Sequence, residues 1–168
     1  MAEKDIVYSS SVKYNGIFSF SDFYEFCYNW IESEVEPTVF NEKNYSESII
    51  GNKKVLEIEW EVEKKLTDYF KCLIKIKIKV NIDKKVEVSQ GSRKIKAEKG
   101  EIKVALKGIL VKDYDGRFES SAMLKMWRAI YEKWIISSEV NRLEGKIIGD
   151  SEEFLEQAKA FLAIEGKK

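Results

Sequence analysis

Val55 to Ile82 reads VLEIEWEVEKKLTDYFKCLIKIKIKVNI, and its apolar residues recur at every second position. Leu56, Ile58, Trp60 and Val62 alternate with Glu57, Glu59, Glu61 and Glu63. After a break at residues 64–68, Phe70, Cys72, Ile74, Ile76, Ile78 and Val80 alternate with Lys71, Lys75, Lys77 and Lys79. Successive side chains of a strand point to opposite faces, so each run sets an apolar row on a core and a charged row in water. The short break predicts two antiparallel neighbours, with the glutamate row facing the lysine row across the pair.

Working outward, residues 5–18 are extended in character and predict a first strand. Ser19 to Asp22 resembles a capping box and predicts a helix over 22–34, with Phe23, Phe26, Cys27, Trp30 and Ile31 on one face. Pro37 ends it and biases Glu36 away from helix. Val39, Tyr45, Ile49 and Ile50 outline a second strand before the turn at Gly51-Asn52. Residues 84–97 read as a second hairpin, with Val86 and Val88 on one arm, Ile95 and Ala97 on the other, and Gln90-Gly91-Ser92 at its tip. Lys99-Gly100 turns into a last strand over 101–114, in which Gly108 marks a bulge or a close backbone approach.

A long helix over 120–145 carries Met123, Leu124, Trp127, Ile130, Tyr131, Trp134 and Ile135. A terminal helix over 151–164 carries Phe154, Leu155, Ala158, Phe161 and Leu162. The expected fold is a single α+β domain over 1–168. Its antiparallel meander of about six to seven strands, centred on 53–114, packs on the long C-terminal helix. That element order is similar to the helix-grip arrangement of START and polyketide-cyclase-like proteins. The resemblance implies a sheet curled around the long C-terminal helix, and an apolar cavity between them.

A chain of 168 residues with 44% apolar and 12% aromatic side chains packs as a globule. The net charge is zero but uneven. Residues 1–63 carry 5 basic and 13 acidic side chains, and residues 64–112 carry 15 basic and 5 acidic. Cys27 and Cys72 sit on apolar stripes and read as small buried hydrophobes rather than a disulfide framework. No apolar signal sequence opens the chain and no run of about 18 apolar residues occurs, so the expectation is a cytoplasmic protein without a membrane span.

The chain has no histidine. That removes the commonest general base, the commonest metal ligand and the histidine-dependent nucleophile systems. No CxxC pair, Walker A loop or GxGxxG occurs, so neither a metal nor a cofactor is expected. Asp113, Asp115 and Gly116 open like a calcium loop, but Glu119 comes too early to complete one. The expectation is a non-enzymatic protein without catalytic residues.

Three readings follow. The first is a binding domain whose cavity, lined by Trp60, Phe70, Trp127, Tyr131 and Trp134, takes a small apolar ligand or a protein partner. The second is a nucleic-acid or ribosome-associated accessory protein. Here the hairpin over 84–103 would lay Lys84, Lys85, Arg93, Lys94, Lys96, Lys99 and Lys103 against the phosphates of a structured RNA. No aromatic residue interleaves there, which argues against base stacking. The third is a self-assembling structural subunit that buries strand edges or the final helix against a neighbour. The lysine row of Lys71, Lys75, Lys77 and Lys79 reads as a solvated face neutralised by the glutamates opposite.

Overall fold

The computed structural model describes residues 3–67, 69–90, 93–112, 122–130, 133 and 137–166. Among them, β1 (Glu3–Phe18), β2 (Val39–Ile50), β3 (Lys53–Lys65), β4 (Phe70–Gln90) and β5 (Arg93–Lys112) form one antiparallel sheet. Its strand order is β1-β5-β4-β3-β2. Between β1 and β2 lies α1 (Phe20–Trp30), which runs into a π turn at Ile31–Val35. α2 (Ala122–Ile130) and α3 (Ser137–Gly166) follow β5.

The fold is therefore α+β, with an antiparallel sheet and a C-terminal helix. The opening pair forms as its alternation requires: Glu57, Glu59 and Glu61 lie opposite Lys79, Lys77 and Lys75. Among the described residues the sheet has five strands rather than six to seven, because residues 84–90 and 93–97 are not a separate hairpin; they continue β4 and β5. Two local devices disguise this. A bulge at Asp83 shifts the register between Ile82 and Lys84, reversing which residues face the core. Gly100 permits close backbone approach and not a turn, since a Cβ there would run into the carbonyl of Asn81.

α1 begins at Phe20, two residues before the expected start. Ser19 is the N-cap, but its hydroxyl does not cap. Glu98 of β5 does so instead, its Oε2 accepting the Phe20 N–H at 3.1 Å, where a carboxylate also complements the helix dipole. The π turn stops at Glu36, which is left-handed (φ 51) just before Pro37. At the β2–β3 turn, Gly51 is left-handed as well (φ 64).

α1 and α3 lie together on one face of the sheet. Phe26 stacks on Phe161 at 4.6 Å, and Trp30 meets Phe154 at 5.4 Å. β3, β4 and β5 supply the floor with Leu56, Ile58, Trp60, Ile74, Ile76, Ile78, Val104, Leu106 and Leu110, all buried. Leu73, Ile109 and Val111 form a small buried cluster of opposite strand parity.

α3 is one helix of 30 residues, where the sequence divides into a long helix ending by residue 145 and a terminal one from 151. Leu143, Ile147, Ser151, Phe154, Ala158 and Leu162 are buried at 3/4 spacing straight through the expected break. Packing of that stripe outweighs the roughly 1 kcal/mol that each of Gly145 and Gly149 costs a helix interior.

α3 crosses the sheet at Gly108. A Cβ there would lie 2.7 Å from Ile147 Cγ2 and 3.1 Å from Ser151 Oγ. Gly108→Val is therefore expected to destabilise by about 1–3 kcal/mol in urea unfolding. Gly145, whose added Cβ meets nothing within 4 Å, should gain about 0.5–1 kcal/mol on change to Ala. Equal effects of the two would remove Gly108 as the crossing point.

Candidate functional site

The strands that flank β4 and β5 stop before β4 and β5 do. β1 pairs with β5 as far as Phe18–Glu98, and β3 pairs with β4 as far as Lys54–Ile82. Beyond those pairs, Lys84–Gln90 and Arg93–Ala97 bond only to each other among the described residues. At about 3.3 Å per residue, the seven residues of the β4 arm make a ribbon roughly 20 Å long.

Lys84, Lys85, Lys94, Lys96, Lys99 and Lys103 are all exposed. Among the described residues none of them forms an ion pair. Of the acids nearby, Asp83 pairs with Lys53 at 3.4 Å and Glu98 caps α1, which leaves Glu87, opposite Lys96, as the one acid on the described ribbon. Lys84 stands directly opposite Lys99, an arrangement that repels. Arg93 lies at the ribbon's end, opposite Gln90. The ribbon therefore brings six of the seven predicted basic residues onto one projecting element or its base, and Lys103 extends the set into the sheet.

Of the residues proposed for a cavity, Trp60, Phe70 and Trp127 are among those described. Trp60 and Phe70 are each 2% exposed and belong to the core. Trp60 pairs opposite Ile76, six residues along β4 from Phe70 and so roughly 20 Å away. Trp127 is 54% exposed on α2, beside exposed Met123, Met126 and Ile130. Its apolar periodicity is real, but the described residues do not cover it. Tyr131 and Trp134, like the Asp113–Glu119 stretch, lie outside the described residues. Between sheet and α3, a void lined by Trp30, Ile31, Val62, Ile76, Leu106, Ser151 and Phe154 has a volume of about 10 Å³, close to the space one water occupies.

The lysine row of β4 is only partly neutralised. Lys71 reaches Glu63 at 3.4 Å and Lys77 reaches Glu59 at 3.7 Å. On its other side, β4 meets β5, where Lys79 faces Lys103 and Lys75 faces Lys107; Lys103 also faces Lys13 of β1. Sequence reading missed Lys13, Lys43 and Lys107, because only strand pairing makes them neighbours.

Trp60 also anchors an aromatic cluster with Tyr24, Tyr28 and Phe40. Glu42 Oε1 accepts from the Tyr24 hydroxyl at 2.9 Å and from Trp60 Nε1 at 3.4 Å. Burial, and then that bond to a carboxylate, push the Tyr24 phenol up to about 12. Burial likewise raises both thiols, Cys72 to about 12, which fits inert packing rather than nucleophilic chemistry. Among the described residues no group of Cys, Asp and Glu could hold a metal ion, and no helix is long and apolar enough to cross a membrane. No protein-family model and no curated protein matches the chain.

The folded state holds the Tyr24 proton above the ordinary value of 10.0. Its contribution to stability is therefore intact below pH 10 and is lost as pH rises toward 12. Urea unfolding across that range should show a decline in stability that is smaller in Tyr24→Phe. An identical decline in the two proteins would dissociate Tyr24 from this shift.

Proposed function

We propose that this is a non-enzymatic nucleic-acid-binding protein that lays its β4–β5 ribbon along the phosphate backbone of a structured RNA, in the cytoplasm. The observation that carries this reading is the projection of the ribbon past both neighbouring strands, its lysines without an ion pair among the described residues. Phosphate contacts of this kind release counterions and position a protein without reading sequence. The stretch 84–99 contains no Phe, Tyr or Trp, so contacts to backbone are favoured over stacking on bases. A ribosome-associated role would use the same contacts on folded RNA.

The pairing of the first strand with the last, with α3 across one face of the sheet, supports a second reading. It is the helix-grip likeness, with a small apolar ligand held between sheet and helix. The void of about 10 Å³ beneath α3 is too small for such a guest; Tyr131 and Trp134 of the expected long helix, which would line the cavity, lie outside the described residues. In the third reading, self-assembly, the final helix is already occupied: Phe154 is buried and Phe161 stacks on Phe26. Strand edges would then have to supply the assembly surface.

The deciding measurement is binding to a labelled RNA hairpin between about 50 and 200 mM salt. The protein should bind, and more weakly as salt rises. A variant with Lys84, Lys94 and Lys96 changed to Glu should bind at least about tenfold more weakly, its salt slope reduced by roughly one for each lysine withdrawn from a phosphate. Wild-type affinity in that variant would sink the ribbon reading. A rise in melting temperature with fatty acids, and none with RNA, would put the apolar cavity first.

A further inference from the structure

The face of the sheet turned away from α1 and α3 carries a depression of about 320 Å³, at the lower end of the range of small-ligand sites. It is lined by Lys43, Lys75, Lys77 and Lys107, by Glu59 and Glu61, and by Ala105. We propose that this depression binds a small phosphorylated molecule, presenting a group the size of a diphosphate. The site is separate from the ribbon and does not depend on its reading.

Charge is the first argument. Lys75 and Lys107 stand directly opposite each other on β4 and β5, and like charges so placed destabilise a sheet. Among the described residues neither of them, nor Lys43, forms an ion pair. Glu59 is already held by Lys77 at 3.7 Å. Glu61 is in register with Lys75 without a bridge between them. Four lysines against two glutamates leave the lining positive, and an anion between Lys75 and Lys107 would turn a repulsion into two attractions.

Shape is the second. Between lysine side chains on either side, Ala105 sits opposite Lys77 on β5, and its single methyl group leaves the floor open. Lys43 enters from the far side, next to core-facing Glu42 on β2, as the extra residue of the bulge between Glu42 and Asn44. Ammonium groups on flexible stems thus converge from two directions, which suits a compact anion bound by point charges more than a planar, bidentate one.

Selectivity follows from β3. Its glutamates 57, 59, 61 and 63 form a negative column between Lys43 of β2 and the lysines of β4 and β5. A polyanion running across the strands would have to pass over that column. A small anion confined between β4 and β5 would not. The same column therefore favours a discrete phosphorylated molecule over an extended backbone.

Titration of the protein with inorganic pyrophosphate, at constant ionic strength set with chloride, should give saturable shifts of the Lys75, Ala105 and Lys107 amides in NMR spectra. Lys107→Gln should weaken binding by about tenfold or more. Ala105→Phe, which fills the floor without altering charge, should abolish the saturable shifts. The double variant Lys94→Glu/Lys96→Glu should weaken RNA binding and keep pyrophosphate binding, so the two sites stand or fall separately. Shifts that never saturate, or full affinity in Ala105→Phe, would overturn the proposal; loss of pyrophosphate binding in the ribbon variant would overturn the separateness of the site.

Discussion

Everything in this sheet hangs on β5 being paired along both edges. β4 lies next to β5 in sequence, but β1 reaches it from the other end of the chain, with Glu3 opposite Lys112 and Phe18 opposite Glu98. α1, β2, β3 and β4 all lie inside the loop which that seam closes. Such a non-local pairing demands ordering before it returns any stabilisation, which slows folding relative to local hairpins. α3 then packs over the seam, against both β1 and β5. Gly108 belongs to the same strand, so the place where the helix comes nearest is also the place where the chain's two ends are joined.

Sequence alone carried the parts of the fold that depend on simple periods. The alternation from Leu56 to Val80 specified two strands, their faces and the acid-to-base pairing between them, because burying one side of a strand leaves little freedom in register. Periodicity failed where a local irregularity reversed it. The bulge at Asp83 put Lys84 and Lys85 out of step with the row before them, and Gly100 looked like a turn residue when its role is backbone proximity. Gly145 and Gly149 looked like stops, yet a continuous apolar stripe carried α3 past both.

The functional surface was less legible, for a related reason. A run of lysines along one strand says nothing about which strand lies on its far side. Glutamates adjacent in sequence made Lys75, Lys77 and Lys79 look neutralised, while the strand that decides the balance, β5, comes later and brings more lysine. The ribbon's basic residues could be found in sequence because they cluster locally. Its projection could not, since that depends on where β1 and β3 end. Trp127 shows the converse: a helical stripe typical of a core-facing helix lies exposed on α2.

The columns of charge have a consequence for the molecule as a whole. Overall the charges sum to zero, yet acids gather on β3 and around α1 while bases gather on β4, β5 and the ribbon. Such a molecule has little net charge to keep copies apart but patches of opposite sign, so neighbours attract when oppositely charged patches meet. Dissolved ions screen that attraction within about 10 Å at 0.1 M ionic strength. Added salt should therefore raise solubility near neutral pH, and very dilute buffer is the condition in which copies would cling together.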